Sequence, residues 1–352
     1  MRTIVSKFGG SSTASAAQLQ RIAKIVRASP ARRCVVLSAP GIDAEHPEKI
    51  TAQLERCWRE RNAPRALEQT VDAVARRFGE IADALGVTGF AAYAQEEILR
   101  ALYISEADTL SRGEYLCALL FSLYTGIPMA DAAGLIFFDG EGGVDEAKTR
   151  AALRARSEGH GPVVIPGFYG SDPEGHIRVF PRNGSDISGA LAAVGMDAAL
   201  YENWTDVPGL MTADPAVVPS ARLIPQVSYR RMRALARAGA QVLHPACLDP
   251  VAMAGIPTRL RPTDRPECFG TLIDDHVADD MPCIAGKRDG SAVDGTPAAA
   301  LSVFGVGYDR VCRAARGVSA LSVERFDGGV KVFVSREDYG AALKALHRNL
   351  IE

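Results

Sequence analysis

The 352-residue sequence predicts an α/β sandwich followed by a small second unit. Residues 3–38 read as strand, helix and strand at the spacing of a βαβ unit, which calls for a parallel sheet with helices on its faces. Strand and helix patterns keep alternating to about residue 261, as an α/β sandwich requires. The chain then turns acidic and loop-like between Gly270 and Met281, and residues 282–352 form a separate run of short elements.

The first strand is the β-branched run Thr3-Ile4-Val5. It ends at Lys7 and passes through Gly9, Gly10, Ser11 and Ser12 into a helix over 16–28, with Leu19, Ile22, Ile25 and Val26 as its apolar positions. A second strand, Cys34 to Ser38, is closed by Ala39-Pro40-Gly41. From Thr51 to about Leu120 the pattern is almost continuously helical, broken near Ala63-Pro64 and between Gly86 and Gly89. Such an insert between strands is expected to wall a site or to meet another subunit. Strand patterns resume at Ile127-Pro128, Leu135 to Phe138 and Pro162 to Phe168, with a hairpin strand at His176 to Phe180. A helix starts at Ser185-Asp186, and a strand covers Ala198 to Trp204. Helices follow at 228–238 and 248–254, then a strand from Ile256 to Arg261. In the tail, strands at Ala300 to Val306, Ser319 to Arg325 and Val330 to Ser335 are interspersed with helices at Tyr308 to Ala315 and Arg336 to Asn349. This β-α-β-β-α order lacks one strand of a βαββαβ module, and Cys283 to Gly286 is placed to supply it from upstream.

Composition narrows the function classes. Forty Lys and Arg against forty-two Asp and Glu give a formal charge of −2, which suggests neither a nucleic-acid partner nor an anionic membrane surface. The apolar content of 47% is ordinary for a globular chain. No apolar run approaches the ~20 residues of a membrane helix. A strand begins within a few residues of the start, so no secretory signal is expected. The seven cysteines are scattered without C-x-x-C pairing and the six histidines form no cluster. Reduced thiols in a cytoplasm are therefore expected, with neither a disulfide frame nor a zinc site.

Four segments carry candidate chemistry. A strand ending in Lys7-Phe8-Gly9-Gly10 ahead of a helix directs backbone N–H groups at one spot, and Lys7 adds a point charge suited to phosphate, unless this is an ordinary strand-to-helix turn. No G-x-x-x-x-G-K-[ST] occurs, so this is not a Walker A loop. Ser111-Arg112-Gly113-Glu114 reads as the start of a helix, with Glu114 either an ammonium partner or an exposed capping residue. In Arg182-Asn183-Gly184-Ser185-Asp186, Arg182 can grip a carboxylate with two bonds and Asp186 can accept from an amine, unless Ser185 or Asp186 simply caps the helix. Trp204 to Gly209, with Thr212-Ala213-Asp214-Pro215, lies past the carboxyl end of a strand, where open α/β sheets bind ligands, or else is a plain turn.

Together these segments resemble the aspartate kinases of the amino acid kinase family. That family opens with K-F-G-G-[ST]-S and carries S-x-G-E, G-R-G-G-S-D and W-T-D-V-x-G with T-x-D-P-R in the same order. Val242-Leu243-His244-Pro245, Ala254-Gly255-Ile256-Pro257 and Gly270-Thr271-Leu272-Ile273 extend the likeness over about residues 1–275. The resemblance implies a three-layer αβα catalytic domain over 1–275 and a single ACT-like α+β module, for regulation or dimerisation, over 281–352. It implies phosphoryl transfer from ATP, with Mg²⁺, to the side-chain carboxylate of L-aspartate. A cytoplasmic homo-oligomer such as a dimer is implied too, with no protein-held metal. Lys7 and Asp186 are the implied catalytic residues. Ser38, Thr51, Glu114, Arg182 and Ser185 are the implied amino acid contacts, Arg182 on a carboxylate and Glu114 near the ammonium. Lys7, Gly9, Gly10, Ser11, Thr205, Asp206, Met211 and Asp214 are the implied ATP contacts.

The chain also departs from the family pattern. Pro181 and Asn183 replace two loop glycines; proline fixes φ, whereas asparagine still tolerates a left-handed conformation. Ala216 stands where an arginine is expected, Gln241 where a lysine is, and Met211 at an aromatic position. Two lost basic contacts predict phosphate binding weaker by ~1 kcal/mol or more each. The pattern suits a specialised enzyme. A kinase of the same fold acting on another carboxylic amino acid fits the altered loop, and a non-catalytic regulatory subunit fits Ala216, Gln241 and the retained tail.

Overall fold

A computed structural model of the chain describes every residue except 1, 160, 182, 241, 242, 244 and 292–296. It divides into two compact units: Met1–Asp206 with Ile256–Thr258 and Pro262–Pro266, and Val207–Gly255 with Arg259–Arg261 and Glu267–Glu352.

The first unit begins β1 (Ile4–Phe8), α1 (Ala16–Arg27), β2 (Arg32–Leu37), then α2 (Ile50–Glu60), α3 (Pro64–Ala84), α4 (Phe90–Leu102) and α5 (Glu106–Thr125). It continues α6 (Glu146–Ser157), β3 (Val163–Pro166), β4 (Tyr169–Ser171), β5 (Ile177–Val179), α7 (Gly184–Gly195) and β6 (Leu200–Thr205). Strands β3, β2, β1 and β6 lie side by side in that order, all parallel. Successive side chains alternate between the faces, so Ser6 and Phe8 point one way and Val5 and Lys7 the other. Helices α1 to α5 cover the Phe8 face, where Phe8, Val35, Leu37 and Trp204 join Leu19, Ile22, Leu54, Phe78, Leu116 and Phe121 in one buried cluster. Helix α7 covers the Lys7 face. It approaches closely because its middle is Gly189: a Cβ there would sit 2.6 Å from the Tyr201 hydroxyl and 3.0 Å from Lys7 Cβ. The expected three layers are present.

Three local readings need correction. No strand forms at Ile127-Pro128, where Met129 makes only an isolated bridge to Val164. The helical insert has a further break before α5, where Ser105 caps the helix by accepting from the Asp108 N–H at 3.0 Å. Leu135 to Phe138 is not a strand and makes only isolated bridges. The Phe137 N–H is taken by the Thr149 hydroxyl at 2.9 Å, and a donor spent on a side chain cannot join a ladder. The hairpin reading holds, with β5 antiparallel to β4.

The second unit holds β7 (Gln226–Val227), α8 (Tyr229–Arg237), α9 (Pro245–Met253), the centre of β8 (Thr258–Pro262) and β9 (Thr271–Ile273), with β7 parallel to β9. It ends with β10 (Cys283–Ser291), β11 (Pro297–Phe304), α10 (Tyr308–Ala315), β12 (Ser322–Phe326), β13 (Gly329–Val334) and α11 (Tyr339–Leu350). These strands make an antiparallel sheet in the order β10-β11-β13-β12. The strand missing from the β-α-β-β-α order is indeed β10, with Cys283 opposite Phe304. Val311 of α10 and Leu343 and Leu346 of α11 pack on Leu301, Val303, Val330 and Val332, which lie on one sheet face. All seven cysteines are free thiols. No helix among the described residues is long and apolar enough to cross a membrane.

Candidate functional site

Lys7 is buried at the end of β1, and its Nζ lies 2.6 Å from Asp186 Oδ1. Parallel pairing places Asn203 of β6 opposite Lys7, and Asn203 Nδ2 donates to the same Asp186 oxygen at 2.8 Å. The Tyr201 hydroxyl donates to the Asp186 carbonyl at 3.2 Å. Asp186 sits in the first turn of α7, where a carboxylate is favoured by the helix dipole. The turn before it is entered through Asn183 in the left-handed conformation, φ 50°, as the replacement of glycine by asparagine permits. Asn183 is therefore the N-cap residue, and neither Ser185 nor Asp186 is. Arg182 lies outside the described residues.

Beyond Lys7 the backbone folds into a tight cradle. Gly9 N donates to Trp204 O at 3.2 Å, and Gly10–Thr13 makes one 3-10 turn. The first N–H groups of such a turn, here those of Gly10 and Ser11, have no partner within it. The turn packs on residues 39–41: Gly41 N donates to Gly10 O at 2.8 Å, and a Cβ on Gly41 would lie 2.6 Å from the Gly10 carbonyl carbon. Thr13 Oγ1 donates to Ala39 O at 3.1 Å, and Ser38 N to Phe8 O at 3.2 Å. Lys7, Gly9, Gly10, Ser11 and Ser38 thus form one cluster. Arg77 of α3, buried, secures it by donating to the carbonyls of Gly41, Glu48 and Ala14. Thr51 stands half-buried in the first turn of α2, just past the segment that Arg77 holds.

Glu114 is neither at a helix start nor exposed. It lies about two turns into α5 and is buried. Its neighbour Gly113 lets α5 press on residue 39, since a Cβ there would lie 2.9 Å from Ala39 Cβ. Burial pushes the Glu114 carboxyl up to about 8, opposed by hydrogen bonding with the Ala39 backbone and the Ser185 side chain and by the Lys7 charge. Its Oε2 has no hydrogen-bond partner among the described residues. Such a carboxyl ionises readily only when a cation arrives beside it.

The remaining expected residues lie further along. Thr205 ends β6 and its hydroxyl donates to Asp206 Oδ1 at 3.1 Å. Met211 and Asp214 belong to the second unit, where Met211 bridges Leu223 and Asp214 Oδ1 accepts from the Ala216 N–H at 2.9 Å. Ala216 is exposed, and Gln241, Val242 and His244 lie outside the described residues. Sequence reasoning missed Asn203, Tyr201 and Arg77. Two of these left a signal: Asn203 is an amide next to Glu202 inside the strand β6, and Arg77 shares a helix face with Val74, Phe78 and Ile81.

The model of the amino acid kinase family matches residues 2–262. The chain belongs to the amino acid kinase family. This family member is 33% identical over 288 residues to aspartokinase 3 of Bacillus subtilis, covering 76% of this chain and 63% of the relative. It is 29% identical over 297 residues to lysine-sensitive aspartokinase 3 of Escherichia coli, covering 77% and 64%. The chain thus spans just under two thirds of these relatives' length. Among solved structures, Clostridium acetobutylicum aspartate kinase matches with a TM-score of 0.87 at 26% identity, covering 99% of this chain and 100% of that one. E. coli aspartokinase III in complex with aspartate and ADP matches with a TM-score of 0.81 at 22% identity, covering 99% and 100%, a likeness of fold. The amino acid kinase sandwich with a small antiparallel unit, expected from the resemblance, is the fold found.

Proposed function

We propose that this amino acid kinase transfers the γ-phosphoryl group of ATP to the side-chain carboxylate of L-aspartate, forming 4-phospho-L-aspartate. The observation that carries the reading is Glu114, a buried carboxyl with an oxygen that has no hydrogen-bond partner among the described residues, influenced by Ser185 and Lys7, which suits an ammonium group brought by the substrate. The likeness to proteins named aspartokinase supports it. An acceptor carboxylate is already a nucleophile at neutral pH, so the site has two tasks: to align two anions and to neutralise charge as the phosphoryl group moves. Lys7, steadied by Asp186, is the cation for the transferring group, and the Gly9-Gly10-Ser11 turn offers backbone N–H groups to phosphate oxygens. Ser38, Thr51, Ser185 and Arg182 take the rest of the amino acid, and Thr205, Asp206, Met211 and Asp214 the nucleotide; these assignments rest on the resemblance.

Mg²⁺ fits as an ion carried by the phosphates. Among the described residues, the group of His, Cys, Asp and Glu with metal-ligand spacing is Asp172, Glu174 and His176, on the β4–β5 hairpin, while Asp186 is engaged by Lys7. When bound with ATP, the ion supplies charge neutralisation at the phosphates. Residues 1–275 are assigned to catalysis, and 281–352 to an ACT-like module for regulation or for assembly of a cytoplasmic homodimer. That all four strands of the antiparallel sheet lie within 283–334 supports a separate tail module, while Val207–Gly255 falls in the same compact unit as the tail. Light scattering of the purified chain tests the dimer, and a monomer at working concentration would refute it.

Trapping of the acyl phosphate with hydroxylamine tests the activity. With ATP and Mg²⁺, L-aspartate should give hydroxamate, and Lys7→Ala should lower the rate by about two to three orders of magnitude. A signal confined to another carboxylic amino acid, or none with any, overturns the assignment.

A further inference from the structure

Helix α8 carries four arginines in nine residues, Tyr229-Arg230-Arg231-Met232-Arg233-Ala234-Leu235-Ala236-Arg237. Its apolar residues Tyr229, Met232 and Leu235 are buried, which leaves the arginines to the other side. Arg230, Arg233 and Arg237 follow one another at the i, i+3, i+7 spacing of a single helix stripe. That stripe lines a cleft of about 550 Å³ whose opposite wall is the sheet face not covered by α10 and α11, with Phe304 of β11, Phe326 of β12 and Lys331 of β13.

The charges in this cleft do not balance. Its lining holds Arg230, Arg231, Arg233, Arg237 and Lys331 against Asp279 and Asp327, five cations to two carboxylates. Arg231 is spent on Asp279, 3.0 Å from its Oδ1 and 2.7 Å from its carbonyl, and Arg233 Nε lies 2.8 Å from Asp249. Among the described residues no carboxylate lies in ion-pair range of Arg230, Arg237 or Lys331. Lys331 is instead held over the rings of Phe326 and Phe333, at 5.6 and 5.8 Å. Phe304 and Phe326 meet edge to face at 5.4 Å and give the cleft an apolar floor. Convergent cations in excess of the two lining carboxylates, above an aromatic floor, attract and orient an anion of compact body.

We propose that this cleft is a binding site for a small polyanion, one with two or more carboxylate or phosphate groups, held by Arg230, Arg237 and Lys331. None of these residues belongs to the Lys7 site, so the proposal stands or falls independently of aspartate phosphorylation.

Calorimetry on the full chain with citrate and with pyrophosphate as probes tests it and separates carboxylate from phosphate preference. At least one probe should bind with one-site stoichiometry. Arg237→Ala and Lys331→Ala should each weaken that binding by about tenfold, while Lys344→Ala, an equal charge change on the exposed side of α11, should leave it unaltered. Circular dichroism of each variant reports that it is folded. Absence of binding for both probes up to about 10 mM overturns the proposal. Binding that ignores Arg237→Ala and Lys331→Ala overturns it too, as pyrophosphate at the Lys7 site would do. So does equal weakening by Lys344→Ala, which would mean diffuse charge and no site.

Discussion

A carboxyl group titrating at about 8 instead of its ordinary 4.5, as Glu114 does, keeps a proton in the folded chain that the unfolded chain has released. Between those two values the folded state binds more protons, so stability falls as pH rises. Glu114→Gln removes that slope. Melting temperatures of the ligand-free protein should therefore decline more steeply for wild type than for Glu114→Gln between about pH 5 and about pH 8, and parallel declines would show that Glu114 is ionised in the free protein. An incoming ammonium reverses the balance, because it favours the charged carboxylate. Aspartate binding should then release a proton, with kcat/KM for aspartate rising with pH toward about 8 and the rise absent in Glu114→Gln. The residue's type was legible beforehand and its burial was not. Helix α5 is buried around most of its circumference, with Ser111, Glu114, Leu116, Cys117, Ala118, Leu120 and Phe121 all enclosed, so no polar stripe marked which face Glu114 takes.

At the level of elements, α7 sets the position of the Lys7 ammonium group. It brings Asp186 to Lys7 only because residue 189 lacks a side chain where Tyr201 and Lys7 press against the helix. Gly189→Val would force backbone or ring atoms apart and should cost about 1–3 kcal/mol in urea unfolding. It should also lower kcat more than the stability loss explains, because the Lys7–Asp186 pair moves with the helix; an unchanged kcat in the folded variant would separate helix position from chemistry. The helix was legible from Ser185-Asp186 and the alanine-rich run behind it, while its N-cap falls at Asn183 and not at Ser185 or Asp186. Its contact with β1 and β6 was not, since nothing local in α7 names the strands that it will cover.

The first unit as a whole is tied together on the Phe8 face by a buried charge network. Glu202 Oε2 accepts from Ser6 Oγ at 2.9 Å, Arg32 Nε at 2.7 Å and Trp204 Nε1 at 3.1 Å, so one carboxylate joins β1, β2 and β6. The Arg32 guanidinium also lies 5.3 Å from the centre of the Trp204 ring, which stacks on Phe8. Removing one partner of a buried pair leaves the other charge uncompensated. Glu202→Ala should therefore destabilise the protein by about 3–5 kcal/mol in urea or thermal unfolding, and a loss below about 1 kcal/mol would mean that water solvates Arg32 in the variant.

What the sequence determined by itself was local: the β1-α1-β2 unit, the glycine turn after Lys7, the presence of helix α7, though not its first residue or its cap, and the upstream strand β10. Each follows from periodicity, glycine and capping chemistry within a few residues, and the motif order added the family. Tertiary structure decided the rest. The burial of Glu114, the hold of Asp186 on Lys7 and of Asn203 on Asp186, the grip of Arg77 on the Gly41 turn and the Ser6–Glu202 bond all join residues far apart in the chain. Such contacts exist only after parallel strands lie in register and helices settle on their faces. Their energies depend on desolvation that no local pattern encodes.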